Sequence, residues 1–419
     1  MVYCFYHNFH RRRESGGREA KGGGAVSWLR DSLIDFWQRG DKLLLTLCLV
    51  ASGYGLLLIY SATRWTRSSR GVLVQLVAIA IGVVAYVALS SVDIEFFVEK
   101  SWKLLLVFNV ALILALIPFG VGENTTGNKS WIPLPGLPLN IQPAEVAKLT
   151  FILLLAWQCS KLQAKGISRP FAVFSMAGHT LMMAGLIAVV SHDFGMALVY
   201  LFLFVVIAWT GGVKLRWFVL AAVLCVVGVI VVWPHISDMY FAKRITVVID
   251  HITGNAATLD SQTQGVGWQQ SQSILAIGSG GLTGQGYLKG IRTQSPYESS
   301  LNARSTDEIF AVCGEELGLV GCLVVILLLG AIIARCVWVA RRAPSPMTAL
   351  VAMGYAGMLF FQSVLNIGMC LYILPIVGLT LPFFSSGGSS IITMFAAMGV
   401  VSSIKTRSLP SWLKDRSNL

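Results

Sequence analysis

The feature that most constrains this chain is a recurring one: apolar runs of roughly twenty residues, parted by short polar breaks, follow one another from residue 43 to residue 404. A hydrocarbon core of about 30 Å takes about 20 such residues in a helix, because every backbone polar group there must find its partner inside the segment. Ten spans are expected, at 43–62, 72–90, 103–119, 144–160, 172–190, 196–211, 217–233, 308–334, 346–370 and 384–404. Charged residues make up only 12% of the chain, about half the share a water-soluble body carries. The expected fold is all-α, a polytopic integral membrane protein.

Three regions follow. Residues 1–40 form a basic tail with Arg11-Arg12-Arg13 and Gly22-Gly23-Gly24 and no apolar signal segment. Its end, 25–39, reads either as an interfacial helix with Trp28, Leu29, Leu33, Phe36 and Trp37 on one face, or as a linker. The membrane domain is 41–407, and 408–419 is a second tail. With the N-terminus inside, 22 Lys and Arg fall on cytoplasmic segments and 9 on outer ones, with Lys148 inside a span. That bias places both termini in the cytoplasm. It also accounts for the net charge of +12 without nucleic acid. Arg64, Arg67 and Arg70 are the exception outside, where anionic headgroups or a partner would meet them. The outer face then owns the Pro- and Gly-rich loop 120–143 and the long loop 234–307, far beyond the usual helix connection. The latter has apolar stretches and is expected to be partly folded. Any chemistry is expected to face outward. None of the eight cysteines forms a C-x-x-C pair, so neither zinc nor a disulfide framework is expected.

A charge within a span costs about 2.5–3.5 kcal/mol or more and needs a reason. Glu145 and Lys148 share a helix face at i, i+3. They form either a local salt bridge with Lys148 reaching for the surface, or a polar pair lining a cavity. Asp193, in the turn Ser191-His192-Asp193-Phe194-Gly195, either caps the next helix or belongs to a site. Asp307 lies in Arg304-Ser305-Thr306-Asp307-Glu308, which matches a capping box with Ser305 as N-cap and Glu308 three residues on. Glu315 and Glu316, deeper in the same span, call for partners, water or a polar cavity. The glycines of 278–286 lack the strand, turn and helix context of a nucleotide loop, so no nucleotide is expected. Ser385-Ser386-Gly387-Gly388-Ser389-Ser390 opens the last span either as an anion site or as close helix packing.

These motifs in this order resemble the SEDS family (shape, elongation, division and sporulation), from about Asp41 to Arg407. Leu57-Leu58-Ile59-Tyr60-Ser61-Ala62-Thr63 is similar to its first span. Gly127-Asn128-Lys129-Ser130-Trp131-Ile132 and Gln142-Pro143-Ala144-Glu145-Val146-Ala147-Lys148 resemble its G-S-R-x-W and Q-P-S-E-x-x-K motifs. His192-Asp193-Phe194-Gly195 resembles P-D-L-G. Asn366-Ile367-Gly368-Met369 and Leu381-Pro382-Phe383-Phe384-Ser385-Ser386-Gly387-Gly388 match most closely. Gln272-Ser273 and the glycines from Gly278 to Gly290 look more like the RodA type than the FtsW type. The family's H-T-D-F-I-F is here Ser305-Thr306-Asp307-Glu308-Ile309-Phe310, so the histidine is lost and a carboxylate replaces the Phe. Lys129 stands for the usual Arg, keeping the charge without its planar fork. Ser386 stands where many members carry Tyr.

The resemblance implies a peptidoglycan glycosyltransferase that joins lipid II units at the outer membrane surface in elongation or division, with a class B penicillin-binding protein crosslinking the strand. Asp307 is then the catalytic acid, either as general base or as metal ligand. Lys148 is the first choice to meet the pyrophosphate, with Lys129 or Arg244 behind it. Glu145 and Asp193 would orient Lys148 or help hold a divalent cation such as Mg2+ or Mn2+, and Trp131, Gln272 and Ser389 complete the substrate contacts. The rival expectations are a lipid II flippase, which ten spans with internal charges also suit, and a non-catalytic scaffold for the crosslinking enzyme.

Overall fold

The computed structural model describes residues 36–64, 70–122, 128–133, 140–237, 239–297 and 300–407. Most of the basic tail, Arg67, Gly127 and the final tail thus lie outside the described residues. Ten long helices correspond to the ten expected spans: α1 (Lys42–Thr63), α2 (Arg70–Ser90), α3 (Ile94–Leu114), α4 (Pro143–Gln163), α5 (Pro170–Leu186), α6 (Phe194–Thr210), α7 (Leu215–Ile236), α10 (Ile309–Arg341), α11 (Pro346–Cys370) and α12 (Gly388–Thr406). Among the described residues, eight segments are long and apolar enough to cross a membrane by themselves. The remaining two are α6, which is shorter, and α4, which carries the Glu145/Lys148 charges. The chain is a multi-pass membrane protein. Loop 234–307 is partly helical as expected, with α8 (Tyr240–Thr253) and α9 (Trp268–Gly280). Loop 120–143 holds two short paired strands, Ile132–Pro133 and Asn140–Ile141.

Local chemistry starts these helices where the sequence supplies a cap. Asp41, Asp93 and Asp193 each accept a bond from the third residue beyond, Pro143 and Pro170 occupy first-turn positions, and Ser345 and Thr348 form a reciprocal capping box before α11. Small residues then let the helices meet. A Cβ on Gly82 would lie 2.9 Å from the Phe395 ring, and one on Gly399 would lie 2.6 Å from the Tyr86 carbonyl oxygen, which seats α12 against α2. At the end of the bundle opposite loop 234–307, Arg335 closes on Asp41 at 2.9 Å. Helix α7 is the contrast. None of its apolar window is buried, and its first turn is what touches the rest, through Trp217 and Phe218.

Helix α10 departs from the expected continuous span. Gly318 takes φ 64° and ψ −161°, breaking the helix. Backbone from the glycine-rich segment enters the break: Gln285 and Gly286 amides donate to the carbonyls of Glu315 and Glu316, while Leu319 and Val320 amides donate to those of Gly281 and Leu282. The bonds lost at the break are thus remade with a loop, as a membrane requires. Glycine is needed there, since a Cβ on Gly284 would lie 2.1 Å from the Glu316 carbonyl oxygen. The buried carboxylates of Glu315 and Glu316 close the same loop. Glu315 accepts from the amides of Arg292 and Thr293 and from the Thr293 hydroxyl, and Glu316 accepts from Ser61, Gln294, Leu288 and Gly290. They are anchors of a loop.

The capping box at Ser305 does not form. Helix α10 starts at Ile309 with no side-chain cap, and the amides of Thr306 and Glu308 bond instead to the carbonyl of Ala303, a residue at φ 50°. The left-handed turn at Ala303 removes those amides from reach of a capping hydroxyl.

Candidate active site

Asp307 sits in that turn, half-buried at the mouth of α10, on the end of the bundle that carries loop 234–307. Its carboxylate is hydrogen-bonded by Thr306 and faces Gly378, where a Cβ would lie 3.9 Å from Oδ2. Burial pushes its pKa from 3.8 up to about 6, against the pull of the nearby Arg244 guanidinium and the Thr306 bond. Arg244 comes from α8 and donates to the Ile376 carbonyl at 2.9 Å. Three separate segments therefore meet at Asp307: the turn before α10, helix α8 and loop 371–383.

Asp193 supplies a second buried carboxylate. Its Oδ1 caps α6 by accepting from Met196 N at 2.8 Å, and its Oδ2 accepts from Gln142 Nε2 at 3.1 Å. Burial raises this group to about 6, and the charges of Glu145 and Asp307 add to the rise, while the Met196 and Gln142 bonds resist it. His192, at φ 56°, is the turn residue expected before it. Asp193 is thus both a cap and a neighbour of the site.

Glu145 and Lys148 form the salt bridge, with Nζ 3.0 Å from each carboxylate oxygen. Lys148 is wholly buried, which excludes the alternative in which it reaches for the surface. Gln362 and the Thr393 hydroxyl also donate to Glu145, replacing the water its carboxylate would otherwise bind. The pair is electrostatically linked to Asp193.

The other expected residues take varied places. Ser389 Oγ accepts from the backbone amide of Gln142 at 3.3 Å, the residue whose side chain holds Asp193. The amides of Ser386 and Gly387 are committed to the Ser305 carbonyl and to Gln75 Oε1, which favours close packing over an anion site. Lys129 donates to the Ile117 carbonyl at 2.7 Å, beyond the end of α3, and its amide donates to Ser191. Trp131 pairs with Val121 in an isolated bridge. Gln272 accepts from Arg292 at 3.3 Å, on the anchored loop, so its described bond is not with the Asp307 cluster.

Two residues near Gln272 were missed. Gln270 donates to the carbonyls of Met369 and Leu374, and Gln269 hydrogen-bonds the buried Glu308. Burial, then the neighbouring Asp307 charge, lift Glu308 well above the usual carboxylate range, and its Oε2 has no hydrogen-bond partner. The period of α9 would have put Gln269, Gln270 and Ser273 toward one side, yet the sequence does not say which helix they meet.

Comparison with known proteins places this geometry. Residues 41–409 match the family model of FtsW, RodA and SpoVE, described as cell cycle proteins. Peptidoglycan glycosyltransferase MrdB of Escherichia coli is 31% identical over 355 residues, covering 84% of this chain and 90% of the relative. Stage V sporulation protein E of Bacillus subtilis is 33% identical over 369 residues, covering 86% and 95%. Among solved structures, a peptidoglycan synthase complex that coordinates polymerization and crosslinking has a chain with TM-score 0.72 at 28% identity, covering 87% of this chain and 97% of that one. The rod shape determining protein RodA of Thermus thermophilus gives 0.62 at 26%, covering 90% and 99%.

Proposed function

The chain belongs to the FtsW, RodA and SpoVE family, the SEDS proteins, and from that premise we infer that it is a peptidoglycan glycosyltransferase. It polymerises lipid II into glycan strands in elongation or division and works with a penicillin-binding protein that crosslinks them. The observation that carries the site assignment is Asp307: a half-buried carboxylate pushed up to about 6, at a helix mouth, with Arg244 beside it.

Both termini lie in the cytoplasm and Asp307 faces outward, a reading supported by the distribution of Lys and Arg. The donor sugar is α-linked to pyrophosphate and the product is β-linked, so the transfer inverts in one in-line displacement. Asp307 takes the proton from the acceptor 4-hydroxyl as the new C–O bond forms and the bond to pyrophosphate breaks. Arg244, the cation acting on Asp307, meets the leaving pyrophosphate in place of Lys148, which is spent on Glu145 and Asp193. Lys129, Trp131, Gln272 and Ser389 remain assigned to the rim of the substrate path.

Among the described residues no three His, Cys, Asp or Glu side chains gather as a metal centre. Mg2+ asks for less, one or two carboxylates plus substrate phosphates. Asp193, with one protein bond at each oxygen, fits that role, and the ion would supply charge neutralisation at the pyrophosphate.

The test is purified protein with labelled lipid II, with and without added Mg2+. Glycan polymer from the wild type and none from Asp307→Asn supports the assignment. Polymer from Asp307→Asn removes it. Labelled lipid crossing liposomes without polymer would favour the flippase, and neither activity would favour the scaffold.

A further inference from the structure

Asp307 is fixed in place from a helix that contributes nothing else to the proposed chemistry. Asn366, on the last turns of α11, is fully buried. Its Nδ2 donates twice, to the backbone carbonyl of Asp307 at 2.8 Å and to that of Leu379 at 2.7 Å. One turn on, the Cys370 thiol approaches the same Asp307 carbonyl at 3.7 Å.

The two carbonyls belong to segments that no helix or strand ladder joins. One is the turn before α10, with Ala303 at φ 50°, and the other is loop 371–383, with Gly378 at φ 67°. A primary amide is planar, and its two N–H bonds diverge at a fixed angle. It therefore sets the separation of the two carbonyls as well as their existence. Three residues before Leu379, the same loop is held by Arg244 through the Ile376 carbonyl. Asn366 thus closes a ring that runs from the Asp307 main chain through the loop to the cation acting on the Asp307 carboxylate. Its own Oδ1 has no hydrogen-bond partner.

We propose that Asn366 is a positioning residue for glycosyl transfer, holding Asp307 at the reacting hydroxyl by tying its main chain to loop 371–383. The proposal rests on Asp307 being the base. It assigns Asn366 to the chemical step and leaves lipid II binding to other groups. A displacement of about 1 Å is enough to cost about a hundredfold in such a step.

Two variants test it in the full-length protein with labelled lipid II: Asn366→Leu, which keeps volume and removes both donors, and Asn366→Asp, which keeps shape and replaces the donor with an oxygen. Both strand the Asp307 and Leu379 carbonyls, so the unfolding temperature in detergent is expected to fall by several degrees while the protein still folds, with KM little changed and kcat lowered about ten- to a hundredfold. Wild-type kcat in the folded Leu variant overturns the proposal. So does a matched rise in KM with kcat intact, or failure of both variants to fold, since either makes Asn366 a binding or core residue. Asp307→Asn is run alongside. If it is active, the base assignment fails, whereas a dead Asp307→Asn beside a fully active Asn366→Leu sinks the positioning role alone.

Discussion

Two pairs of neighbouring carboxylates stand eight residues apart at the head of one helix, and the protein treats them oppositely. Glu315 and Glu316 are wholly buried, and loop amides, hydroxyls and Gln294 donate to all four of their oxygens. Asp307 and Glu308 are lifted above the usual carboxylate range, and one oxygen of Glu308 has no hydrogen-bond partner. A buried acid that is fully hydrogen-bonded serves the fold, because removing it strands its donors. A buried acid short of donors costs the fold something, and it persists where reactivity needs it. Burial alone does not separate structure from chemistry; the supply of donors does.

Asp307→Asn breaks the comparison most directly. Losing a general base is expected to lower polymerisation by about 10²–10⁴-fold, with thermal unfolding in detergent unchanged. A substantial loss of stability instead would put Asp307 in the same class as Glu315.

Glu315→Ala is expected to fail in the opposite way. It strands the amides of Arg292 and Thr293 and the Thr293 hydroxyl, at about 1–3 kcal/mol for each unsatisfied group. Expression and unfolding temperature should fall together with activity, and the surviving folded fraction should turn over at close to the parent rate. A stable protein with a dead active site would show that the anchored loop takes part in the reaction.

The acid limb of the rate profile sharpens the contrast. Asp307 accepts a proton only when ionised, and its pKa lies near 6. Polymerisation measured from pH 8 downward should therefore halve near pH 6 and be largely gone by about pH 5. Stability should move the other way, because a carboxyl raised in the folded state favours the fold when protonated. A rate that stays flat to about pH 5 would point to a base in the ordinary carboxylate range.

How much of this was legible follows from where each partner lies. The spans were readable because hydrocarbon demands the same apolar run each time. Helix α3 starts at Ile94 rather than 103, because its first turns carry Glu95, Glu99, Lys100 and Lys103 and do not read as apolar. The break at Gly318 was invisible, since the residues that repair it lie in 281–286 and no local pattern links them. The Ser305 capping box had the right spacing and failed to the left-handed turn at Ala303. Asp307, Asp193 and Lys148 stood out as charges beside apolar runs. That Arg244, Asn366 and Gly378 converge on the first of them is a property of two helices and a loop meeting at one turn, which spacing along the chain does not encode.

Glu308→Gln should have the smallest effect and draws the finest line between the pairs. Glu308 is held well above its ordinary range by burial and by Asp307, and glutamine copies its shape without a carboxylate's charge. Turnover at pH 7 is expected within about twofold of the parent. The difference should appear in stability against pH. A carboxyl whose folded pKa is raised contributes stability that is complete below its unfolded value and is lost as pH climbs toward the folded one. The parent's unfolding temperature should thus drift downward from the ordinary glutamate range toward neutrality, and the variant should lack that part of the drift. Should Glu308→Gln instead lose polymerisation as fully as Asp307→Asn, the proton acceptor would be Glu308, and Asp307 would be the charge that keeps it poised.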